Sequence, residues 1–421
     1  MNLTAKELFW TAFLFILINV ACYLGQDQIR VNDGRGWDGL AFCEIARMFA
    51  AHEHLTGEVP QVYRVGTPFL AVLVDPVDLP YAFRVVNVTA NIFIVFFFTV
   101  WLGLWIRDWR LRLFLSFLFQ ANWAGPVRFV WFYSVLTDHW PLAFILLALI
   151  LMTAYRDLLW TTLSVGLIGA VAILFREISV IIPAAFVCTE VRLWGGFKVD
   201  VKRAAVKVLA VAACLLAFWL LKQSIVITGN RYTFTEAMRM QFGTMVPDAW
   251  ALSWFITYGP LFALVLLRPK QSLRFLAEQP HLGFILLAVI GLSMVGGRDY
   301  ERFYFWASPV IYLLIGLALE SGLGLARKWW VAAPVLGLQA VAQRLFWSTP
   351  EPLRPQDPEP HCNDLITFFT SDGPCAGYKQ LLGHYTWPEI RGTLWMDYLV
   401  LMGVLVWLQY WSSRQVKSSA K

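Results

Sequence analysis

What most constrains this chain is the recurrence, along almost its whole length, of apolar stretches long enough to cross a bilayer. A helix rises about 1.5 Å per residue and needs about 17–25 apolar residues to cross. Stretches of usable length fall at 7–25, 81–105, 113–134, 139–154, 160–175, 178–194, 206–224, 250–267, 280–296, 303–320, 329–346 and 394–411. Two are interrupted: 113–134 contains Pro126 and Arg128, and 178–194 follows Arg176-Glu177 almost at once. Inside a bilayer the backbone has no water to bond to, so such stretches must be helical. The expectation is an all-α, polytopic membrane protein with about twelve transmembrane helices. With 58% hydrophobic residues and a mean hydropathy of +0.59, the chain is more apolar than a water-soluble domain needs to be.

The connections between these stretches fix an expected orientation. Arg107, Arg110 and Arg112 follow the second stretch, Lys198, Lys202, Arg203 and Lys207 the sixth, Arg268, Lys270 and Arg274 the eighth, and Arg327 and Lys328 the tenth. With Arg414, Lys417 and Lys421 at the end of the chain, all fall on one side, together with the N-terminus. That basic side is expected to be cytoplasmic, in a multi-pass protein of the bacterial inner membrane with both termini inside. The net charge of +6 is therefore an expression of topology and implies no nucleic-acid partner. The first stretch has only Lys6 before it and no small-residue cleavage site, so it reads as a retained span. The chain divides into a membrane module, 1–346, a hydrophilic outer loop, 347–393, and a last helix with a basic tail, 394–421. Cys362 and Cys375 share that outer loop, where an oxidising compartment would permit a disulfide. Cys22, Cys43, Cys188 and Cys214 read as apolar packing residues. No zinc, iron–sulfur, P-loop or dinucleotide motif is present.

Polar motifs collect on the opposite, non-cytoplasmic face. The first is Asn32-Asp33-Gly34-Arg35-Gly36-Trp37-Asp38-Gly39, directly after the first stretch. Each Asp precedes a glycine, so the backbone can turn tightly and hold a carboxylate at the membrane face. From Leu40 to His54 the period becomes helical, with Phe42, Ile45, Ala46 and Phe49 on one face. This predicts an amphipathic interfacial helix with a carboxylate at its N-terminal end; the plainer account is a helix that the Asp residues merely cap. Tyr63-Arg64 follows, then Pro68 and a short apolar run to Val74 that reads as re-entrant or interfacial. Asp138 and His139 open the fourth stretch, where a capping role is the simple alternative; Arg176-Glu177 closes the fifth, where a snorkelling pair is. Arg298 and Arg302, four apart after the ninth stretch, would share a helix face and could grip a phosphate. The loops 225–249 and 347–393 add further polar residues, among them Arg231, Tyr232, Glu236, Gln241, Asp248, His361 and His384.

Ion-coupled transporters carry their charges on broken helices near mid-membrane and show related halves. Here the charges sit at the ends of apolar stretches and in loops, and the two halves do not look alike, an arrangement better suited to chemistry at the interface. Trp37-Asp38-Gly39, followed by Phe42 and Ile45-Ala46, resembles the first-loop signature of GT-C class integral-membrane glycosyltransferases, including mannosyltransferases. Tyr63-Arg64 with Pro68, Tyr133 through Asp138, and Arg176-Glu177 with Ser179 resemble, in order, later motifs of that class; the likeness covers roughly residues 1–190 and one Arg-rich segment, 298–304. The resemblance implies inverting transfer of a sugar from a polyprenyl-phosphate donor to a glycan, lipid or protein acceptor, on the periplasmic face. It implies Asp38 as base, Asp138 as a helper and Asp33 as a competing carboxylate. Arg64, Arg298 and Arg302 become phosphate candidates, with Trp37, Tyr63, His139, Arg176 and Glu177 around the substrates. No cofactor is required by this chemistry; a divalent metal ion at the carboxylates stays open, although no metal-ligand motif is present. A transporter or flippase of lipid-linked sugars, an O-antigen-type ligase and a membrane scaffold are the alternatives.

Overall fold

The computed structural model describes residues 4–26, 28–36, 38–122, 124–228, 238–239, 246–295, 300–322, 329–343, 391–392, 395–396, 398–407 and 410. Trp37, Arg298, Arg231, Tyr232, Glu236, Gln241 and the 347–390 part of the outer loop, including Cys362 and Cys375, lie outside these residues. The described chain is mostly helical. Its helices in the first half are α1 Ala5–Gly25, α2 Asp38–Ala50, α3 Gly66–Val74, α4 Leu79–Trp105, α5 Trp109–Ala121, α6 Pro126–Phe132, α7 His139–Ala154, α8 Leu159–Ala172 and α9 Ile181–Cys188. In the second half they are α10 Val201–Gln223, α11 Pro247–Tyr258, α12 Phe262–Leu266, α13 Pro269–Glu278, α14 Pro280–Val295, α15 Tyr300–Gly322, α16 Trp329–Ala342 and α17 Tyr398–Trp407. The only strands among the described residues are two-residue pairs: β1 Thr56–Gly57 with β4 Val226–Ile227, and β2 Val191–Arg192 with β3 Lys198–Val199.

Four helix starts, those of α1, α4, α5 and α10, are set by short acceptor side chains. Thr4 accepts from the Glu7 N–H at 3.2 Å, Asp78 from Tyr81 at 3.1 Å, Asp108 from Arg110 at 2.9 Å and Asp200 from Arg203 at 3.1 Å. Each satisfies one of the backbone donors that a helix leaves open at its first turn. Among the described residues four helices are long and apolar enough to cross a membrane: Ala5–Gly25, Leu79–Trp105, Val201–Gln223 and Arg302–Glu320 within α15. The pair α13–α14, bent by 113°, makes a fifth if taken as one broken span.

Other apolar stretches are shorter or interrupted, for identifiable reasons. The 113–134 stretch divides into α5 and α6 because Pro126, which has no N–H, starts a new helix. There Asn122 turns aside to donate to the Thr257 carbonyl at 2.5 Å. The 250–267 stretch breaks at Gly259, whose φ is +71° and whose missing Cβ makes room for the Gln339 side chain. The 178–194 stretch opens with a 3-10 turn, Glu177–Val180, and ends in the β2–β3 hairpin.

The long helices differ in how much protein covers them. In its most apolar window α15 is 83% buried and α4 61%, whereas α10 is 22% and α1 only 11%. So α15 runs through the middle of the bundle, and α1 and α10 present Leu17, Leu24, Leu215, Leu216 and Leu220 outward. For a chain this apolar, lipid is the natural neighbour of those faces. Around α15 the core is aromatic: Trp101, Tyr258, Tyr304, Trp306 and Tyr312 are fully buried. Trp254 stacks on Tyr304 with ring centroids 4.0 Å apart. This packing fixes the rotation of α15, and so determines where its first turn points.

Candidate active site

Five segments far apart in sequence deliver charged side chains to one place, Arg64 and Arg176-Glu177 arriving as a pair. The first is the start of α2, and its geometry begins in the turn before it. Asn32 and Asp33 adopt left-handed backbone, and Gly34 and Gly36 follow with φ of +82° and +68°. Asn32 Nδ2 donates to the Gly36 carbonyl at 2.7 Å and the Gly36 N–H to Val31 at 2.9 Å, closing the turn. A Cβ at Gly36 would lie 2.3 Å from the Tyr133 ring. The Tyr133 hydroxyl in turn accepts the Gly39 N–H at 3.1 Å. The turn is thereby pressed on the 133–138 segment, and Asp38 becomes the first residue of α2. Behind it α2 buries Phe42, Ile45 and Ala46 and exposes the Glu44–Arg47 pair, the amphipathic pattern that the sequence predicts.

The second segment, 133–138, is irregular, bending at Val135, Thr137 and Asp138, and is held by α4. Asn87 of α4 donates to the carbonyls of Ser134 and Leu136 at 2.8 and 2.9 Å. These bonds satisfy buried backbone acceptors that would otherwise be costly. Asp138 occupies the cap position of α7, yet its side chain accepts no capping bond. It faces arginines instead.

The third segment carries Arg176-Glu177. The Gly66 N–H donates to the Leu174 carbonyl at 2.8 Å, and Gly66 leaves space for the Phe175 ring. That approach brings Arg64, just upstream, against Glu177: Arg64 Nε lies 3.1 Å from both carboxylate oxygens. The fifth segment is the first turn of α15, with Arg302.

The result is a continuous chain of charges. Arg302 donates to Asp38 Oδ2 through both terminal nitrogens at 3.2 Å. Its Nη2 also lies 3.5 Å from Asp138 Oδ2. On the other side, Arg176 Nη1 sits 2.5 Å from Asp138 Oδ1, and the Arg176 guanidinium lies over the Trp306 ring at 4.6 Å. Both Asp138 oxygens are enclosed, and neither makes an aligned hydrogen bond. Asp138 is therefore charge-paired but keeps hydrogen-bonding capacity in hand. Burial alone pushes the carboxyls of Asp38 and Asp138 up, but the surrounding arginines (Arg302 first for Asp38, Arg176 first for Asp138) outweigh it. Both pKa values lie below the usual carboxylate range. Access is uneven: the Asp38 side chain is 27% exposed and that of Asp138 only 4%.

Chemically, this arrangement offers one partly open, ionised carboxylate beside three guanidiniums. Of the residues picked out in the sequence, Asp38, Asp138, Arg64, Arg176, Glu177 and Arg302 come together here. Asp33 does not: it is exposed in left-handed backbone with no hydrogen-bond or ion-pair partner among the described residues. The His139 ring is fully buried, 3.2 Å from the Pro126 carbonyl and edge-on to Phe305, so it braces the start of α7. Tyr63 is buried with its ring against Phe218 of α10. Asp248 pairs with Arg391. Among the described residues no three His, Cys, Asp or Glu side chains gather as metal ligands. Trp306 and Asn87 escape a reading of the sequence. The spacing of four between Arg302 and Trp306 on one helix is the signal for the first, while Asn87, a lone amide in an apolar helix, carries none for what it would hold. Comparison of the chain with protein-family models, with curated proteins and with solved structures finds no match.

Proposed function

We propose that the chain is a membrane glycosyltransferase of the GT-C type, with about twelve spans and a GT-C-like architecture, acting on a polyprenyl-phosphate-linked sugar at the non-cytoplasmic face. The observation that carries the reading is the meeting of Asp38, Asp138, Arg64, Arg176 and Arg302 from segments up to 264 residues apart. A lone carboxylate at a membrane face is commonplace; one set among three guanidiniums suits a reaction whose leaving group is a phosphate.

In the proposed reaction Asp38 accepts the proton of the acceptor hydroxyl as that oxygen bonds to the sugar's anomeric carbon. On the opposite face of the ring the bond from that carbon to the phosphate oxygen breaks, and both electrons leave with the phosphate. The leaving group stays anionic and needs charge stabilisation more than a proton, which guanidiniums supply. Asp138 is too enclosed to meet an acceptor and serves to hold Arg176 and Arg302 in place. Asp38 suits the base because its carboxylate is ionised and partly open.

The test is transfer in proteoliposomes from a radiolabelled polyprenyl-phosphate hexose. Asp38→Asn keeps shape and removes the proton acceptor; loss of a positioned base typically lowers the rate by about 10²–10⁴-fold. Asp33→Asn should leave the rate close to the parent's. If Asp38→Asn folds and transfers normally, the reading fails and transport of lipid-linked sugars becomes the leading account.

A further inference from the structure

The bundle has a second polar end. A cavity of about 900 Å³ opens where α7 gives way to α8, between the β2–β3 hairpin, the start of α10 and the α13–α14 bend. Because α7 runs from His139 to Ala154, this cavity lies about 24 Å from the Asp38 site at 1.5 Å per residue. It is a separate place with separate residues.

Its charge inventory is uneven in a specific way. Each of the four carboxylates lining it is already engaged. Asp157 pairs with Arg203 at 2.7 Å, and Asp200 with Arg203 at 3.6 Å. Glu190 binds the buried Lys207, and Glu278 takes Arg274 at 2.8 Å. The side chains of three lining cations, Arg192, Lys198 and Lys202, have no hydrogen bond or ion pair among the described residues. Two of them are held side by side, since Arg192 and Lys198 are direct partners across the hairpin. Like charges opposite each other on a strand pair are destabilising, and an anion between them would reverse the sign. The wall of the same cavity includes His281, 3% exposed, whose Nε2 has no hydrogen-bond partner. A buried imidazole nitrogen left unsatisfied costs free energy until a ligand or water meets it. The hairpin tip beside the cavity is apolar and outward: Leu193, Trp194 and Phe197 are exposed. Tips of that composition sit in membrane interfaces.

We propose that this cavity is a second binding site, for a phosphate ester, with Arg192, Lys198 and Lys202 neutralising the phosphate and His281 contributing a buried polar contact. A phospholipid headgroup and a soluble organic phosphate share that chemistry. The full chain, purified in uncharged detergent, is titrated with glycerol phosphate, and in parallel placed in nanodiscs of phosphatidylglycerol or of phosphatidylcholine. Melting temperature is followed at constant ionic strength. A ligand that binds only the folded state raises stability in proportion to ln(1 + [L]/Kd). The expected result is a saturable rise with glycerol phosphate, with phosphatidylglycerol over phosphatidylcholine, or with both. A rise with the lipid alone assigns the headgroup, and one with glycerol phosphate assigns a soluble ester. The rise should vanish in Arg192→Gln/Lys198→Gln and shrink in Lys202→Gln, which sits on the exposed first turn of α10 and spares the hairpin. It should survive in Lys270→Gln, an exposed cation outside the cavity. No saturable rise with either probe, or one equal in Lys270→Gln and the cavity variants, overturns the proposal. Sugar transfer is not the readout, so failure here leaves the Asp38 reading untouched, and the reverse.

Discussion

Breaking the Asp138–Arg176 pair from one side should cost far more than removing it whole. Asp138 is 3% exposed and Arg176 6%, with 2.5 Å between their nearest atoms. At an effective dielectric of about 20, two unit charges about 4 Å apart attract by about 4 kcal/mol. Much of that is offset by the several kcal/mol needed to take each ion out of water. Replacing the pair by uncharged groups is then close to neutral, whereas removing one partner strands a buried charge at a cost of about 3–5 kcal/mol. The two single variants should also differ. Asp138→Asn strands the buried Arg176 and also takes from Arg302, 3.5 Å away, the second of its two carboxylates, leaving it Asp38 alone. Arg176→Met leaves Asp138 with Arg302 still beside it. Asp138→Asn should therefore fall near the upper end of that range and Arg176→Met near the lower end. The double variant should be less costly than the sum by about 2 kcal/mol or more, a coupling typical of groups sharing one network. The assay is reversible unfolding by SDS in mixed micelles, followed by tryptophan fluorescence. Additive single costs, or an Asp138→Asn cost no larger than that of the exposed Asp33→Asn, would refute the argument.

Gly36→Ala should destabilise the fold and lower transfer without touching a charge. It puts a side chain at φ +68° and 2.3 Å from the Tyr133 ring, strain of about 1–3 kcal/mol; normal activity would show that this turn does not position Asp38. The folded pKa values of Asp38 and Asp138 are lowered, so their contribution to stability is complete above the unfolded value of about 3.9 and is lost as pH falls through the lower folded values. Melting temperature should accordingly show no loss from these groups between pH 8 and 5. Below pH 4 the acid-side loss should be smaller in Asp38→Asn than in the parent; an equal loss would exclude Asp38 as its source. Cysteine labelling tests orientation: in intact cells an impermeant maleimide should reach Asp33→Cys and not Phe197→Cys, and the reverse pattern would put the Asp38 site in the cytoplasm.

What could be read from the sequence follows the range of the interactions involved. The stretch 139–154 is a helix with the same limits, His139–Ala154, because a polar cluster marks one end and Tyr155-Arg156 the other. Residues 81–105 likewise become Leu79–Trp105 after the Asp78 cap. The divided stretches were only half legible. Pro126 in the sequence announces an interruption, but the bond from Asn122 to the Thr257 carbonyl, which stabilises it, joins residues 135 apart. The same holds for Gly259, where the space needed by Gln339 decides the break. At the site, the sequence marks charged residues at the ends of apolar stretches and in the first outer loop, yet not who faces whom. Asp138 has the position of a helix cap and the role of a counter-ion, a choice that depends on Arg176 arriving from another segment.

On the proposed reading, the order in which the network can open follows from burial. Arg64, Arg176 and Arg302 balance Glu177, Asp138 and Asp38, so the site is near neutral without substrate. An incoming phosphate must compete with carboxylates for guanidiniums, and it can win only where the displaced carboxylate can be hydrated. Asp138 at 4% side-chain exposure has no such outlet and stays with Arg176. Asp38 at 27%, paired with an Arg302 that is 14% exposed, does. The pair that yields is thus Asp38–Arg302. Transferring Arg302 from the carboxylate to the phosphate does two things at once: it places a cation on the leaving group, and it raises the proton affinity of Asp38 by removing its nearest positive charge. A base held ionised while the site is empty becomes a stronger base when the donor docks, which ties proton removal to the presence of both substrates.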